Sequence, residues 1–434
     1  MHKSSVLPYS RDRENDKGRD EVQVTVIGTG YVGLVTAIGL AENGHEVICV
    51  DLNAERMEQL TKGIPPITEQ GIEEALQANA ARMTFTTVYP ESDLYLVAVG
   101  TPERADGSCD LTAVEAVVAQ ISRLNPEANV VLKSTVPPGT TERLQQSYPE
   151  LRFAMVPEFL REGTALADNR APSRLVIGTR DHMLAERLET LFLTTAPVVQ
   201  VDPTTAELTK YAANSFLAVK ISFINEIARL ADAVGADVAE VAHGIGLDPR
   251  IGPAFLRAGA GYGGSCFPKD IAALTALAKT YETPLHVIEG ADKTNEAQLD
   301  YVLQKIRPVK GQRIALLGLA FKPGTDDLRD APALRLAERL EALGVHITGY
   351  DPAAKTLLDQ KPTLDEAIAE ADAAVIMTEW DEMKQLEPER LQRLMRTPRL
   401  IDGRNCWAYA DRPHGVEYEG IGRYNQTFTN NQIR

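Results

Sequence analysis

The sequence predicts an α/β protein of two Rossmann-like, doubly wound domains joined by a long central helix. Three observations predict it. A strand-like run over residues 22–27 leads into Gly28-Thr-Gly-Tyr-Val-Gly33, then an apolar helical pattern, then a second strand ending on Asp51. A degenerate copy begins at Arg313, where Gly344-Val-His-Ile-Thr-Gly-Tyr-Asp351 echoes Gly44-His-Glu-Val-Ile-Cys-Val-Asp51. Between them, residues 202–234 read as one helix, opened by Asp202-Pro203 and closed by Gly235.

The first unit has the strand–GxGxxG–helix–strand–acid order of a dinucleotide fold. Gly28 permits the tight turn, Gly30 lets backbone approach a pyrophosphate, and Gly33 lets the helix pack close to the sheet. The helix N-terminus then faces the phosphates. Asp51 stands where a carboxylate can bind ribose hydroxyls and repel a 2′-phosphate. Two further strands, residues 93–99 and 129–133, run into Gly100-Thr101-Pro102 and Ser134-Thr-Val-Pro-Pro-Gly-Thr140. Loops at the carboxyl ends of parallel strands line a ligand crevice, although either could be an ordinary proline-punctuated turn.

The long helix would span roughly 45–50 Å at about 1.5 Å per residue. Thr204 and Glu207 have capping-box spacing at its start. Ala212, Ala213, Phe216, Leu217, Ile221, Phe223, Ile224, Ile227 and Ala228 cover most of its circumference. Such a helix is expected to be buried on several sides, between two domains and against a second subunit, which predicts a homodimer.

In the second unit, strand 314–317 leads to Gly318, a helix follows over 332–343, and strand 346–350 ends at Asp351. Further strands fit 373–377 and 400–402. GxGxxG is missing, and the excess length sits in residues 320–329, so this half should hold a nucleotide in another manner. The expected segmentation is a disordered extension over 1–20, domains over 21–201 and 301–434, and a central helical domain over 202–300. Eight of the ten residues from Arg11 to Asp20 are charged and no apolar core precedes them, which excludes a secretory signal.

Forty-five basic against 61 acidic residues give a net charge of −16, which opposes broad binding to nucleic acid or anionic lipid. No run approaches the roughly 18 apolar residues of a membrane span. Four scattered cysteines without CxxC spacing suit a reducing cytoplasm, and seven histidines without HExxH spacing predict no metal.

Three pairs spaced i,i+4 would each share a helical face: Glu158/Glu162, Lys210/Asn214 and Cys266/Asp270. Lys210 and Asn214 interrupt an apolar helix, where an unpaired ammonium is costly. Glu158 and Glu162 follow Pro157, as at a helix start, where acids are favoured in any case. Cys266 lies in Gly259-Ala-Gly-Tyr-Gly-Gly-Ser-Cys-Phe-Pro-Lys-Asp270 at the head of a helical run. A helix N-terminus and nearby Lys269 favour its thiolate. Beside a nicotinamide, a thiolate can add to an aldehyde, give up hydride and leave a thioester for hydrolysis. A small buried cysteine in a turn is the plainer reading of that motif alone.

GTGYVG, VGTP, STVPPGT, PEFLREG, KYxxNSFLAxK, GYGGSCFPKD and GLAFKPGTDDxRxxP occur in that order. On these motifs the chain resembles the UDP-glucose/GDP-mannose dehydrogenase family over roughly residues 22–425. The resemblance implies oxidation of the C6 alcohol of a nucleotide sugar to the carboxylate, with two NAD⁺ per sugar. It implies Cys266 as nucleophile and Lys210, assisted by Asn214, as stabiliser of negative charge on the C6 oxygen. Thr135, Glu158 and Asp270 would position or activate water, with Glu158 as general base.

By the same resemblance, Gly28, Gly30, Tyr31, Val32, Gly33, Asp51, Arg56, Thr101, Thr135, Glu162 and Lys269 would contact NAD. Glu158, Phe159, Leu160, Lys210, Asn214, Phe255, Tyr262, Gly263, Phe321 and Lys322 would bind the UDP-sugar. Arg250 would reach the sugar site of the neighbouring subunit, and Arg257 and Arg329 are weaker substrate candidates. The family often has Asn before Pro-Glu-Phe-Leu; Val156 stands here instead and removes any polar role there. The Gly261-Tyr-Gly-Gly spelling favours the UDP-glucose branch, and so UDP-glucuronate as product. GDP-mannose or a UDP-N-acetylhexosamine is the alternative substrate. A single-step 3-hydroxyacid dehydrogenase and an inert nucleotide sensor are the rival classes.

Overall fold

A computed structural model describes residues 22–410 and 414–423, so the charged extension over 1–20 lies outside the described residues. The chain divides into two compact units, meeting between Ala212 and Ala213.

The N-terminal unit is built on β1 (Gln23–Ile27), β2 (Glu46–Val50), β3 (Met83–Thr86), β4 (Leu94–Val97), β5 (Asn129–Leu132), β6 (Arg152–Met155), β7 (Leu175–Gly178) and β8 (Val198–Val201). Their order across the sheet is β3-β2-β1-β4-β5-β6-β7-β8. The first six are parallel, β7 meets β6 antiparallel, and β8 runs parallel to β7. The order reverses between β1 and β4, the switch point where such sheets open a crevice at their carboxyl ends. Both sheet faces are covered, so the strands read as unbroken apolar runs. Val24, Val26 and Val131 enter one core cluster, whereas Ile27, Val130 and Leu132 enter another.

The C-terminal unit holds β9 (Arg313–Leu317), β10 (His346–Tyr350), β11 (Ala373–Ile376), β12 (Arg399–Asp402) and β13 (Glu417–Gly420). They form an all-parallel sheet ordered β10-β9-β11-β12-β13. Ile314 and Leu316 pack on one side of it and Ala315 and Leu317 on the other. The expected two Rossmann-like domains are therefore present, with strands β3, β6, β7, β8 and β13 added to those read from sequence.

The helix Pro203–Val234 is 32 residues long, about 48 Å at 1.5 Å per residue. Its start corrects the expected capping box. Asp202 is the cap: its carboxylate accepts from Thr205 N at 3.0 Å and Thr205 Oγ1 at 2.6 Å. With Asp202 capping and Pro203 at the first helical position, Thr204 already lies inside the first turn and cannot cap. Glu207 turns inward instead and is fully buried. Leu208, Phe216, Phe223, Leu230 and Val234 are exposed along the helix, so one side of it stays open in the single chain. No helix among the described residues is long and apolar enough to cross a membrane.

Lys133, directly after β5, is buried with its ammonium 5.1 Å from the centre of the Phe192 ring. Burial pushes its pKa down from 10.5 to about 8, opposed by the Glu158 charge and aided by Lys210. Between those two values the unfolded chain holds a proton that the folded chain has shed, so stability rises with pH through that window. Below about pH 8 the cost of burying the charge applies in full. Lys133→Met, which keeps the stem and removes the charge, is expected to raise the urea midpoint at pH 7. Its advantage should shrink as the pH approaches 10. An equal gain at both ends would show that the ammonium is not desolvated.

Candidate active site

Gly28 ends β1 with φ +94°, and a Cβ there would lie 2.7 Å from the Ala98 carbonyl oxygen. A Cβ on Gly33 would lie 1.8 Å from Gly28 O, so only glycine lets the helix Tyr31–Glu42 seat against the turn. Gly30 is different. A Cβ there would meet nothing within 4 Å, which leaves open space at the N-terminus of that helix. The first amides of a helix lack intrahelical partners, so those of Tyr31, Val32 and Gly33 are available to a phosphate. A dinucleotide pyrophosphate fits this cradle.

Asp51 follows β2, and its carboxylate accepts from Thr29 N and Thr29 Oγ1, both at 2.9 Å, and from Asn53 N at 3.0 Å. Arg56 Nη1 completes the set at 2.9 Å. Partial burial raises its pKa, but the bonds from Thr29 and Asn53 and the Arg56 charge outweigh that and hold it below the ordinary value. The acid expected to face a ribose is thus ionised and held in place. Thr101 Oγ1 donates to Thr135 O at 2.9 Å, which ties together the loops that follow β4 and β5. The Tyr31 hydroxyl is bonded to Glu69 and accepts from Gly163 N at 2.6 Å, so it anchors the segment beside Glu162.

The Glu158/Glu162 pair does not share a helical face, which corrects the sequence expectation. Residues 156–161 are irregular, 162–164 form a turn, and the next helix starts at Ala165. Val156 N still bonds to Leu132 O as an extension of β6, and Pro157 follows with no N–H. Glu158 then accepts from its near neighbour Leu160 N at 2.6 Å, a local bond that competes with helix formation. Its other oxygen accepts from Lys210 Nζ at 2.8 Å, and both groups are buried. Burial raises the Glu158 pKa, but the charge and hydrogen bond of Lys210, the Leu160 amide and the Lys133 charge bring it below the ordinary value. The Phe159 ring stacks under the Arg174 guanidinium at 3.7 Å, with Lys210 Nζ 5.5 Å from its centre.

In the C-terminal unit, Cys266 is the N-cap residue of the helix Phe267–Thr280, and its carbonyl accepts from Asp270 N at 3.0 Å. The i,i+4 pairing expected from sequence is present. Asp270 is fully buried and receives Asn214 Nδ2 at 2.6 Å and Lys269 Nζ at 2.5 Å. Ser265 Oγ lies 3.5 Å from Cys266 Sγ.

The glycine-rich loop before the cysteine packs on the extra segment 320–329 and on Asp330. Gly264 N bonds to Arg329 O at 2.9 Å, and a Cβ on Gly264 would lie 2.6 Å from the Phe321 ring. A Cβ on Gly263 would lie 2.0 Å from Asp330 O. Lys322 Nζ lies 5.0 Å from the Phe321 ring centre. Tyr262 is buried edge-on to Phe267 at 5.8 Å, and Phe255 lies 6.3 Å from the same ring. Phe255 holds φ +63°, an uncommon conformation for a bulky residue and one that stores strain next to this loop.

The arginines divide. Arg250 is 87% exposed and folds back onto Asp248 at 2.5 Å. Arg329 is exposed and clasps Asp327, and Arg257 is exposed and donates to Asn405 O at 3.1 Å. Within one chain, Arg329 touches the cysteine loop through its carbonyl, which accepts from Gly264 N, and neither Arg250 nor Arg257 is drawn into it. Arg404, which sequence reasoning passed over, is: its Nη1 donates to Gly261 O at 3.0 Å and its Nε to Met377 O at 2.6 Å. Its remaining nitrogen, Nη2, is buried with no partner among the described residues. Lys133 was also missed, and Glu207 was read only as part of a cap. The detectable signals were a lysine closing an apolar strand and a glutamate one turn before Lys210.

Asp351 shows how the second half differs. Its carboxylate accepts from the amides of Leu319, Ala320, Ala353 and Ala354 and from the Trp380 indole. Five donors leave it no capacity for a ribose, in keeping with the missing GxGxxG.

Three family profiles match the chain in order. The NAD binding domain of the UDP-glucose/GDP-mannose dehydrogenase family matches residues 22–196, the central domain 204–297 and the UDP binding domain 315–409. The UDP-glucose 6-dehydrogenase YwqF of Bacillus subtilis is 44% identical, over 93% of this chain and 98% of its own. A UDP-glucose 6-dehydrogenase of Rhizobium meliloti is 43% identical, over 93% and 100%. The solved UDP-glucose dehydrogenase of Pyrobaculum islandicum superposes with a TM-score of 0.87 at 35% identity, covering 94% of this chain and 99% of that one. A UDP-D-ManNAc dehydrogenase from Pyrococcus horikoshii superposes at 0.84 with 28% identity, over 92% and 99%. With three domain profiles matched in order over most of its length and relatives above 40% identical over 93% of it, the chain belongs to the UDP-glucose/GDP-mannose dehydrogenase family.

Proposed function

We propose that this enzyme oxidises the C6 alcohol of UDP-glucose to the carboxylate of UDP-glucuronate, through a thioester on Cys266. The observation that carries the reading is Cys266 at the N-cap of a helix, one turn before a buried Asp270 held by Asn214 and Lys269. The helix dipole favours the thiolate there. The identity of this chain to named UDP-glucose 6-dehydrogenases supports that sugar over GDP-mannose.

NAD is the cofactor, held by the Gly28–Gly33 turn and Asp51, and when bound it accepts hydride from C6 in each of two oxidations. In the first, the O6 proton passes to water as hydride leaves C6, and the alcohol becomes an aldehyde. The Cys266 thiolate then adds to C6, and the Lys210 ammonium stabilises the negative charge that forms on the oxygen. Loss of hydride from this adduct leaves a thioester. Glu158, ionised at rest by its bond to Lys210 and released when the sugar oxygen engages that ammonium, takes a proton from the water that attacks the thioester carbonyl. The Cys266–C6 bond breaks and the thiolate is restored. Each sugar therefore consumes one water and yields two NADH, whereas a hydroxyacid dehydrogenase would yield one and a sensor none. Arg404 Nη2 and Lys322 are the cations we assign to the UDP portion.

We also propose a homodimer in the cytoplasm. Phe216, Phe223 and Leu230 recur every seven residues as exposed apolar groups on one face of the long helix, as an interface requires. Arg250, exposed and bonded to Asp248 of its own turn, is the residue we assign to the partner's sugar site.

Asp51 sets the preference for NAD⁺, and its partner Arg56 is the cation nearest a 2′-phosphate. Asp51→Asn should release Arg56 and raise kcat/KM for NADP⁺ relative to NAD⁺ by about tenfold. An unchanged ratio would remove Asp51 from the ribose site.

Cys266→Ala should abolish production of the UDP-glucuronate acid while leaving NAD and UDP-sugar binding, measured by calorimetry, nearly unchanged. Glu158→Gln should slow thioester hydrolysis, so intact-mass spectrometry under turnover should reveal a covalent sugar adduct on Cys266. No adduct would exclude Glu158 as the hydrolytic base. A parallel screen with UDP-N-acetylglucosamine and GDP-mannose should yield far less NADH than UDP-glucose.

Arg250→Ala and Cys266→Ala chains, each nearly inactive alone, should complement when co-expressed. Random pairing makes half the dimers mixed with one complete site each, so activity should return to roughly a quarter of wild type. No recovery would place Arg250 in its own chain's site.

A further inference from the structure

The buried Glu207 has no role in the chemistry above, and its bonds all lie within the N-terminal unit. One carboxylate oxygen accepts from Gly139 N at 2.6 Å. The other accepts from Thr141 N at 2.8 Å and Thr141 Oγ1 at 2.6 Å. Gly139 is the N-cap residue of the helix Thr140–Ser147 and offers no side chain to it. Glu207 therefore supplies from a different helix the acceptor that a serine or aspartate would normally supply locally.

We infer that Glu207 is a positioning residue for the oxidation, clamping the loop 134–139 to the helix that bears Lys210. The inference rests on the proposed roles of Thr135 and Lys210. The loop runs from Ser134, whose Oγ donates to Val99 O at 2.7 Å, through Thr135, whose carbonyl accepts from Thr101 Oγ1. Its near end is thus tied to the loop after β4 and its far end to Glu207. One turn beyond Glu207, on the same helix, Lys210 meets Glu158 at 2.8 Å. A single carboxylate thereby sets the spacing between the segment carrying Thr135 and the ammonium that stabilises charge on the sugar oxygen. Burial pushes Glu207 up to about 7 against the pull of its three hydrogen bonds. Burial disfavours the charged carboxylate there, but an apolar residue would leave the Gly139 and Thr141 donors without an acceptor, and only a polar acceptor can hold the loop.

Glu207→Gln keeps the volume but turns an amide toward one of the donors. Activity is measured with UDP-glucose and NAD⁺, alongside thermal melts and the reference variant Lys210→Ala. For Glu207→Gln, kcat should fall about tenfold and KM for NAD⁺ should rise severalfold, because the Thr135 loop loses its far anchor. Thr141→Val, which deletes one of the three donors, should fall by a smaller factor. Thr141→Ser keeps the hydroxyl and should stay within about twofold of wild type. A purely structural role would lower the melting temperature and leave kcat per folded site unchanged. Wild-type kcat and KM in Glu207→Gln, with Lys210→Ala inactive, would overturn the inference and leave the proposed reaction standing. If Glu207→Gln fails to fold, Thr141→Val decides, and wild-type kinetics there overturn the inference equally. Full activity in Lys210→Ala would overturn the reading of the site, and the inference with it.

Discussion

A charge taken out of water must be matched where it lands, and that constraint organises this protein along its longest helix. Glu207, Lys210 and Asn214 follow the i, i+3, i+7 spacing of a single helical face, and all three are buried. In the N-terminal unit, Glu207 is matched by the amides of Gly139 and Thr141, and Lys210 by Glu158. In the C-terminal unit, Asn214 is matched by Asp270. Removing one partner of a buried ion pair costs about 3–5 kcal/mol, more than most single apolar contacts contribute. Side chains to which we assign chemistry are therefore also fixed by the cost of leaving them unmatched.

The same constraint acts on Lys133, with a different outcome. Its ammonium has a ring face and the Glu158 charge nearby, and burial prevails over both in setting its proton affinity. Glu158 lies between two lysines and is ionised despite its burial. A carboxylate in that setting accepts a proton only when something releases its hold on Lys210, and a substrate oxygen that engages the ammonium would do so. The resting ion pair and the proposed base are then two states of one arrangement.

Two copies of one local pattern have diverged in what their acids do. Asp51 accepts from Thr29, Asn53 and Arg56 and retains a partly exposed carboxylate at a crevice. Asp351 spends its capacity on four amides and an indole, which shapes the turn after β9 and leaves nothing for a ligand. The residues added in the second copy, 320–329, together with Asp330 form the surface on which the glycine-rich cysteine loop packs. The second copy has thus exchanged a phosphate turn for a platform.

Periodicity and local chemistry were enough to determine the elements that make their own case. The glycine turn, the acid after β2, the cysteine at a helix start and the long helix all follow from steric rules and apolar spacing within a few neighbouring residues. The Glu158/Glu162 helix and the Thr204/Glu207 cap were misread for one reason. Each pattern meets a local competitor, Leu160 N for Glu158 and Asp202 at the start of the long helix, and each carboxylate takes a partner far away in the chain: Lys210 for Glu158, and Thr141 for Glu207. The antiparallel step at β7, the burial of Lys133 and the unpaired nitrogen of Arg404 likewise depend on long-range packing. A sequence states which groups are polar and how they are spaced. Only the tertiary structure decides which of them leave water, and with which partner.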